Sequence, residues 1–185
     1  HNMITAQQGV FQFEGDYAFS LLKDFKPNTI NHMSMVNAAL RPSGKSYRDR
    51  MIAGEHNDNP SKEIDNLLAS NNGYLIFQED TIKFLTDICG FTGSAADTTR
   101  RAIGKKDKEL LKQQLPKILE GYCSHSSQPR AKAEEEAKQF VQIVQDSSEY
   151  QFGYNHSTAY SMNGYECVWL RTYHTIEFVA AYLNR

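Results

Sequence analysis

The sequence SAADTTRRAIGKK, at residues 94–106, contains the start, body and end signals of a helix. Ser94 is the predicted N-cap, and Asp97 stands at the third helical position, a capping box with aspartate in the usual place of glutamate. Gly104 predicts a helix end with one residue in the left-handed conformation, followed by two lysines. We therefore predict a helix that begins near Ser94 and ends at Gly104.

Four positive charges lie within the last seven residues of this stretch, at Arg100, Arg101, Lys105 and Lys106. Residues 94–117 hold seven basic and three acidic side chains, whereas the whole chain has a formal net charge of -2. A helix C-terminus favours nearby cations by about 0.3–1 kcal/mol, so a solvated helix end is one interpretation. An anion site is the other, because guanidinium groups match phosphate oxygens in a bidentate fashion. Composition alone leaves both interpretations open.

The remaining sequence is also predicted to be mostly helical. Apolar residues recur at helical spacing between stop signals such as Pro27 and Gly90. Ser61 is a predicted N-cap, and the segment YLIF at residues 74–77 is the best strand candidate. The expected fold class is mainly α, with one or two short strands. The other predicted helices cover residues 17–25, 31–40, 46–53, 62–69, 79–89, 108–122, 157–174 and 175–183. One further long helix is predicted to begin at residue 129.

Composition excludes several classes of protein. A formal net charge of -2 means that the chain as a whole is not a basic nucleic-acid binder, so an anion site must come from local charge placement. Cys89, Cys123 and Cys167 are widely spaced and odd in number, which argues against a disulfide framework and favours a reducing cytoplasm. No apolar run reaches the roughly 20 residues needed to cross a bilayer, so no membrane partner is expected.

Metal chemistry is not predicted for this segment. The six histidines are scattered, without an H-x-x-x-H pair or a His-Cys cluster. The sequence contains no Asp-x-Asp pair of the kind that holds two metal ions for phosphoryl transfer, and no Walker-type glycine loop. We therefore expect this segment to bind no metal ion.

The neighbouring residues His156 and Ser157 raise the hypothesis of a small hydrolase. Adjacent side chains rarely point at one another, and no G-x-S-x-G elbow surrounds the serine, so this hypothesis is weak. The same residues are predicted to begin a helix, and exposed amides at a helix N-terminus form a natural phosphate site. A simple capped helix start is the other interpretation.

Five stretches, in the family's order, resemble the fingers region of the family C bacterial replicative DNA polymerases, the polymerase III alpha subunits. The most specific is GFTGSAADTTRRAIGKK at residues 90–106, which resembles the pattern G-x-x-x-x-x-A-D-x-x-R-R-A-M-G-K-K. Residues 150–184 resemble a pattern that contains Y-x-F-N-K-S-H-S-x-A-Y. The other three stretches are GVFQFEG (9–15), VNAALRPSG (36–44) and NGYLIFQED (72–80).

The resemblance implies that residues 4–185 are one helical fingers segment of a larger polymerase, whose palm and N-terminal domains lie outside it. Residues 1–3 are expected to be a remnant of expression. In this family the palm carries the carboxylates that bind Mg²⁺, and the fingers close over the incoming nucleotide. The isolated segment is therefore expected to be inactive, with Mg²⁺ bound only in the full-length enzyme.

The same resemblance implies partners and a location. Expected partners are the incoming dNTP, primer-template DNA, the remainder of the alpha subunit, and the sliding clamp and other replisome proteins through other regions. The expected location is the bacterial cytoplasm. Two departures from the family pattern, Tyr154 in place of a lysine and Ser43 in place of a glycine, are typical of a diverged member and leave open a bacterial or a phage origin.

Site residues follow from the matched motifs. Arg100 and Arg101 match the paired arginines that bind the triphosphate of the incoming nucleotide, and Lys105 and Lys106 match the two lysines that follow them. His156 matches the histidine of the N-K-S-H stretch, on the nucleotide side. The weaker candidates are Arg41, Gln78, Glu79, Tyr154, Asn155, Ser157 and Tyr160.

A stand-alone helical DNA-binding protein that shares the fingers sequence is the main alternative. Such a protein would bind duplex DNA by itself. Its affinity would fall steeply as salt rises, because phosphate contacts release counterions.

Overall fold

The computed structural model describes residues 4–41, 45, 47–147 and 151–184. Within these residues the chain is mainly α, as predicted. A 3₁₀ turn at Ala69–Asn71 follows the fourth helix, and a π-helical turn at Phe84–Ile88 continues the fifth. The helices are α1 (Asp16–Phe25), α2 (Ile30–Ala39), α3 (Arg48–Ile52), α4 (Lys62–Leu67), α5 (Gln78–Lys83), α6 (Gly93–Gly104), α7 (Lys108–His125), α8 (Arg130–Ser147), α9 (Tyr154–Tyr173) and α10 (Thr175–Leu183).

The chain divides into two compact units. The terminal unit joins His1–Glu55 to Tyr154–Arg185 and contains α1–α3, α9 and α10. In this unit α2 packs on α9, whose buried side includes Ser161 and Gly164. A Cβ atom at Gly164 would lie 3.0 Å from the carbonyl oxygen of Phe11, so a small residue is needed at this close approach.

The central unit, His56–Gly153, contains α4–α8. Phe84 and Phe140 lie at the centre of its apolar core, with ring centroids 4.6 Å apart. Ser61 begins α4 as predicted, because its side chain accepts a hydrogen bond from the backbone N–H of Ile64. The grouping of both units into one fingers segment over residues 4–185 stays a prediction.

The predicted strand at residues 74–77 is wrong. Among the described residues the structure has no named strand, and the segment makes only an isolated parallel bridge between Phe77 and Phe152. The backbone N–H groups of Ile76 and Phe77 donate to the carboxylate of Asp80 instead of to a neighbouring strand. The side chains of all four residues of this segment are buried, so their strand-like composition reflects burial in the core of the central unit.

The ends of α6 also differ from the prediction. Its N-cap is Thr92, whose hydroxyl accepts from the N–H of Ala95, and not Ser94. The left-handed residue after the helix is Lys106, with φ of 52°, and not Gly104, which is the last residue of the helix. The N–H of Lys106 donates to Ile103 and the N–H of Asp107 to Ala102, which is the hydrogen-bond pattern of a Schellman motif.

Lysine is an unfavourable residue at a left-handed position, which glycine occupies at little steric cost. We expect Lys106→Gly to raise the free energy of unfolding by about 0.5–1 kcal/mol, measured by urea denaturation. Lys106→Ala is the matched control, since it removes the same side chain and keeps the steric cost of the left-handed backbone. Equal stabilities of the two variants would contradict the backbone explanation.

Candidate phosphate-binding surface

The C-terminal half of α6 presents its two arginines at the border of a buried face. Thr99, Ala102 and Ile103 are buried in the central unit. The side chain of Arg100 is 19% exposed, whereas that of Arg101 is 66% exposed. Adjacent helical residues point about 100° apart, which explains why one arginine lies along the protein surface and the other extends into solvent.

One carboxylate connects the two arginines. Arg100 donates from Nε and Nη2 to Oδ1 of Asp97, at 3.2 and 2.9 Å, and Arg101 Nη2 lies 2.6 Å from Oδ2. The spacings i,i+3 and i,i+4 place all three side chains on the same side of the helix. The hydrogen bonds from Arg100, and then those from Arg101, lower the pKa of Asp97. The carboxylate is therefore ionised at neutral pH and leaves the group with one net positive charge.

Two lysines follow the arginines in the turn between α6 and α7. Lys105 and Lys106 are both exposed. Asp107, also exposed, is the N-cap of α7, and its Oδ1 accepts from the N–H of Leu110 at 3.1 Å. Four of the side chains predicted to bind phosphate therefore lie at the end of one helix and in the turn after it. Two carboxylates lie in the same segment: Asp97 binds the two arginines, and Asp107 caps α7.

Gln78 and Glu79 belong to the same unit, at the first turn of α5. The side chain of Gln78 donates from Nε2 to the carbonyl oxygen of Gln151 at 3.2 Å, and its backbone N–H donates to Phe152 at 3.0 Å. Gln78 therefore attaches the segment before α9 to the start of α5, which is a structural role. A nucleotide contact by either residue stays a prediction.

His156, Tyr160 and Phe11 form an aromatic row on the terminal unit. The ring centroids of His156 and Tyr160 are 4.1 Å apart, and those of Tyr160 and Phe11 are 5.1 Å apart. His156 is exposed, as is Asn155, while Tyr154 is half-buried at the first position of α9. Phe11 was not predicted as a site residue, because its proximity to Tyr160 depends on the packing of the N-terminal segment against α9.

Ser157 is a packing residue. Its side chain is fully buried, and its hydroxyl donates to the carbonyl oxygen of Ser34 at 2.7 Å. The neighbouring His156 is exposed, so the two side chains do not form a nucleophile and base. The weak hydrolase hypothesis therefore has no support, and the hydroxyl of Ser157 is not placed to contact a ligand.

Arg41 is exposed beyond the C-terminus of α2, and its carbonyl oxygen accepts from Nη2 of Arg48 at 2.8 Å. The residues that follow Arg41 in its family motif, among them Ser43, lie outside the described residues. The role of Arg41 in nucleotide binding stays a prediction.

The part of the chain that the structure describes has no group of side chains that fits a metal site. Among residues 4–41, 45, 47–147 and 151–184, no three His, Cys, Asp or Glu side chains are grouped so that they could hold an ion. The binding of Mg²⁺ by other regions of a full-length polymerase stays a prediction. For the same part of the chain, none of the helices combines the length and apolar character required to cross a membrane.

The described residues define a mainly helical protein with a local group of basic side chains at the end of α6. Residues 2–126 match the sequence family of the bacterial DNA polymerase III alpha subunit finger domain. The chain belongs to this family.

Curated relatives extend the similarity to nearly the whole chain. It is 31% identical over 182 residues to the DNA polymerase III subunit alpha of Aquifex aeolicus and 31% identical over 175 residues to that of Thermotoga maritima. The corresponding protein of Halalkalibacterium halodurans is 29% identical over 177 residues. These alignments cover 94–95% of this chain but only 15–20% of the relatives' length. At 95% coverage of the chain, the match extends through α9, which follows the region of the family match.

Proposed function

We propose that this chain is the fingers portion of a DNA-directed DNA polymerase and that the C-terminal end of α6 binds the triphosphate of the incoming deoxynucleotide. The observation that carries the proposal is the convergence of Arg100 and Arg101 on one carboxylate at the exposed end of a basic helix. Two guanidinium groups held close together match the several anionic oxygens of a triphosphate.

Arg101 is the principal contact in this proposal, because about two thirds of its side chain is exposed. Arg100 contributes from the protein surface, while Lys105 and Lys106 add longer-range positive potential. His156, Asn155, Tyr154 and Tyr160 are proposed contacts on the nucleotide side, with Arg41 and Glu79 as further candidates. Positive groups at this position would also stabilise the charge that develops on the leaving pyrophosphate.

The wider role is proposed by analogy with the relatives. In DNA replication the segment would position the nucleotide against primer-template DNA within the remainder of an alpha subunit. The carboxylates for Mg²⁺, and the surfaces for the sliding clamp and other replisome proteins, would be supplied by other regions. The chain by itself is expected to incorporate no nucleotide.

The proposal is tested by titrating the ¹⁵N-labelled chain with inorganic tripolyphosphate and with a deoxynucleoside triphosphate at low salt. We expect the Nε–H signals of Arg100 and Arg101 to shift progressively with both ligands, and the shifts to weaken with added salt because the contacts are ionic. Arg130, which forms ion pairs with Glu120 and Glu134, is the internal control, and its Nε–H signal is expected not to shift.

Two outcomes would contradict the proposed function. Arginine signals at α6 that do not respond to tripolyphosphate would remove the triphosphate site. Tight binding of duplex DNA by the chain alone, with a steep dependence on salt, would favour the stand-alone DNA-binding hypothesis instead.

A further inference from the structure

Asp97 occupies a position that the proposed phosphate site does not explain by charge alone. An acidic group among arginines lowers the positive potential that a triphosphate would experience. Yet its two carboxylate oxygens divide between the two arginines, Oδ1 to Arg100 and Oδ2 to Arg101. A residue that only reduced the charge of the site would not need to bind both guanidinium groups at once.

We infer that Asp97 is a positioning residue that holds the guanidinium groups of Arg100 and Arg101 in the arrangement that receives a triphosphate. This inference rests on the proposed function. Long arginine side chains have many rotamers, and fixing them before the ligand arrives removes part of the entropy cost of binding. Arg101 gains most, because its side chain is largely exposed and therefore has more rotamers to lose when a ligand binds.

The geometry of α6 supports a dedicated role. Arg100 binds Asp97 through two nitrogens on one oxygen, which leaves its remaining donor nitrogen for another acceptor. Arg101 uses Nη2 for the carboxylate, which leaves Nε and Nη1. The carboxylate therefore fixes the direction of both groups while donor atoms remain for phosphate oxygens.

The decisive measurement compares Asp97→Asn with Asp107→Asn. Each change removes one negative charge from the same segment. Asparagine keeps the N-cap of α7 at position 107, so that variant tests charge alone. At position 97 asparagine keeps one acceptor oxygen and has an amide donor in place of the other, so the side chain no longer offers one acceptor oxygen to each guanidinium group. We expect Asp97→Asn to weaken tripolyphosphate binding by about tenfold and Asp107→Asn to leave it equal or slightly tighter.

Asp97→Glu is the conservative variant, since glutamate reaches residues at i+3 and i+4 and retains two acceptor oxygens. It is expected to restore most of the affinity.

Orthophosphate binding distinguishes a positioning role from a purely structural one, because loss of a purely structural role would not change the ratio of tripolyphosphate to orthophosphate affinity. A single phosphate group engages fewer donors than a chain of three, so the ratio of tripolyphosphate to orthophosphate affinity is expected to fall in Asp97→Asn while the thermal unfolding midpoint changes little.

The outcomes separate this inference from the proposed function. The test requires that the unmodified chain binds tripolyphosphate and loses affinity when either arginine is replaced. Under that condition, an affinity of Asp97→Asn for tripolyphosphate that equals or exceeds that of the unmodified chain would overturn the positioning role. An unmodified chain that does not bind tripolyphosphate would overturn the proposed function and this inference with it. An unchanged ratio of the two affinities, together with a lowered unfolding midpoint, would assign Asp97 to the stability of α6 instead.

Discussion

Replacing Asp80 with alanine is expected to lower the free energy of unfolding of the chain by about 2–4 kcal/mol at pH 7. Asp80 is buried in the central unit, and its Oδ2 accepts three hydrogen bonds. The donors are the backbone N–H of Phe77 at 2.8 Å, the side chain of Asn71 at 3.0 Å and the backbone N–H of Ile76 at 3.3 Å. All three donors belong to buried residues, so alanine leaves them without this acceptor in a site that excludes water.

The effect of this substitution depends on pH. Burial raises the pKa of Asp80 to about 6, against the smaller opposite effect of the hydrogen bonds from Phe77 and Ile76. Because the folded-state pKa lies above the unfolded value, the group contributes most to stability when protonated and loses that contribution as pH rises through about 6. The difference in stability between the unmodified chain and Asp80→Ala is therefore expected to grow by about 1 kcal/mol from pH 7 to pH 5.

Asp80→Asn is the matched control, because asparagine keeps an acceptor oxygen for the three donors and carries no charge. It is expected to be close to the unmodified chain at pH 7, and its difference from Asp80→Ala to be independent of pH. Urea denaturation followed by circular dichroism gives the free energies, and hydrogen exchange at the amides of Ile76 and Phe77 locates the effect. Equal destabilisation by alanine and asparagine would show that the three hydrogen bonds are not the cause.

Local signals in the sequence predicted the helices well, but not the contacts that depend on three-dimensional proximity. Ser61 was found as a cap because its donor, the N–H of Ile64, is only three residues away. The role of Asp80 depends on a chain reversal that brings Asn71, Ile76 and Phe77 around one oxygen. An apolar run before an acidic residue gives no sign of this arrangement, and the run was predicted to be a strand.

The ends of α6 show how two local signals can compete. Ser94 and Asp97 match a capping box, yet Thr92 caps the helix, and Asp97 is used by the arginines instead. The i,i+3 and i,i+4 spacing of Asp97, Arg100 and Arg101 is visible in the sequence and could have revealed this pairing. The left-handed conformation at Lys106 could not have been predicted, because glycine usually takes that position and Gly104 was available two residues earlier.

The largest functional effect is expected from the arginines of α6. In the tripolyphosphate titration, Arg101→Ala is expected to weaken binding by about 10- to 100-fold, which corresponds to the loss of one or two charge-assisted hydrogen bonds. Arg100→Ala is expected to weaken binding by a similar factor. Its side chain is mostly covered, so this variant also loses packing and a modest part of the stability of the central unit.

Lysine variants at the same positions separate charge from geometry. Arg101→Lys retains the positive charge but replaces the planar fork with a single ammonium group, which cannot contact two phosphate oxygens in the same bidentate way. We expect its affinity to lie between those of Arg101→Ala and the unmodified chain. Arg130→Ala is the control for removal of an exposed, ion-paired arginine from another helix, and is expected to leave the affinity unchanged.

In a full-length polymerase that carries this segment, the same substitutions at Arg100 and Arg101 are expected to lower kcat/KM for nucleotide incorporation sharply. If the arginines stabilise charge that develops on the leaving pyrophosphate, kcat falls as well as affinity; if they bind ground state and transition state equally, only KM rises. Near-normal incorporation by both alanine variants would contradict the assignment of the triphosphate site to α6. Because Asp97 neutralises one of the two arginines, the remaining positive charge is modest. On the proposed function, we therefore expect the fixed direction of the two guanidinium groups, more than their net charge, to favour a triphosphate over a single phosphate group.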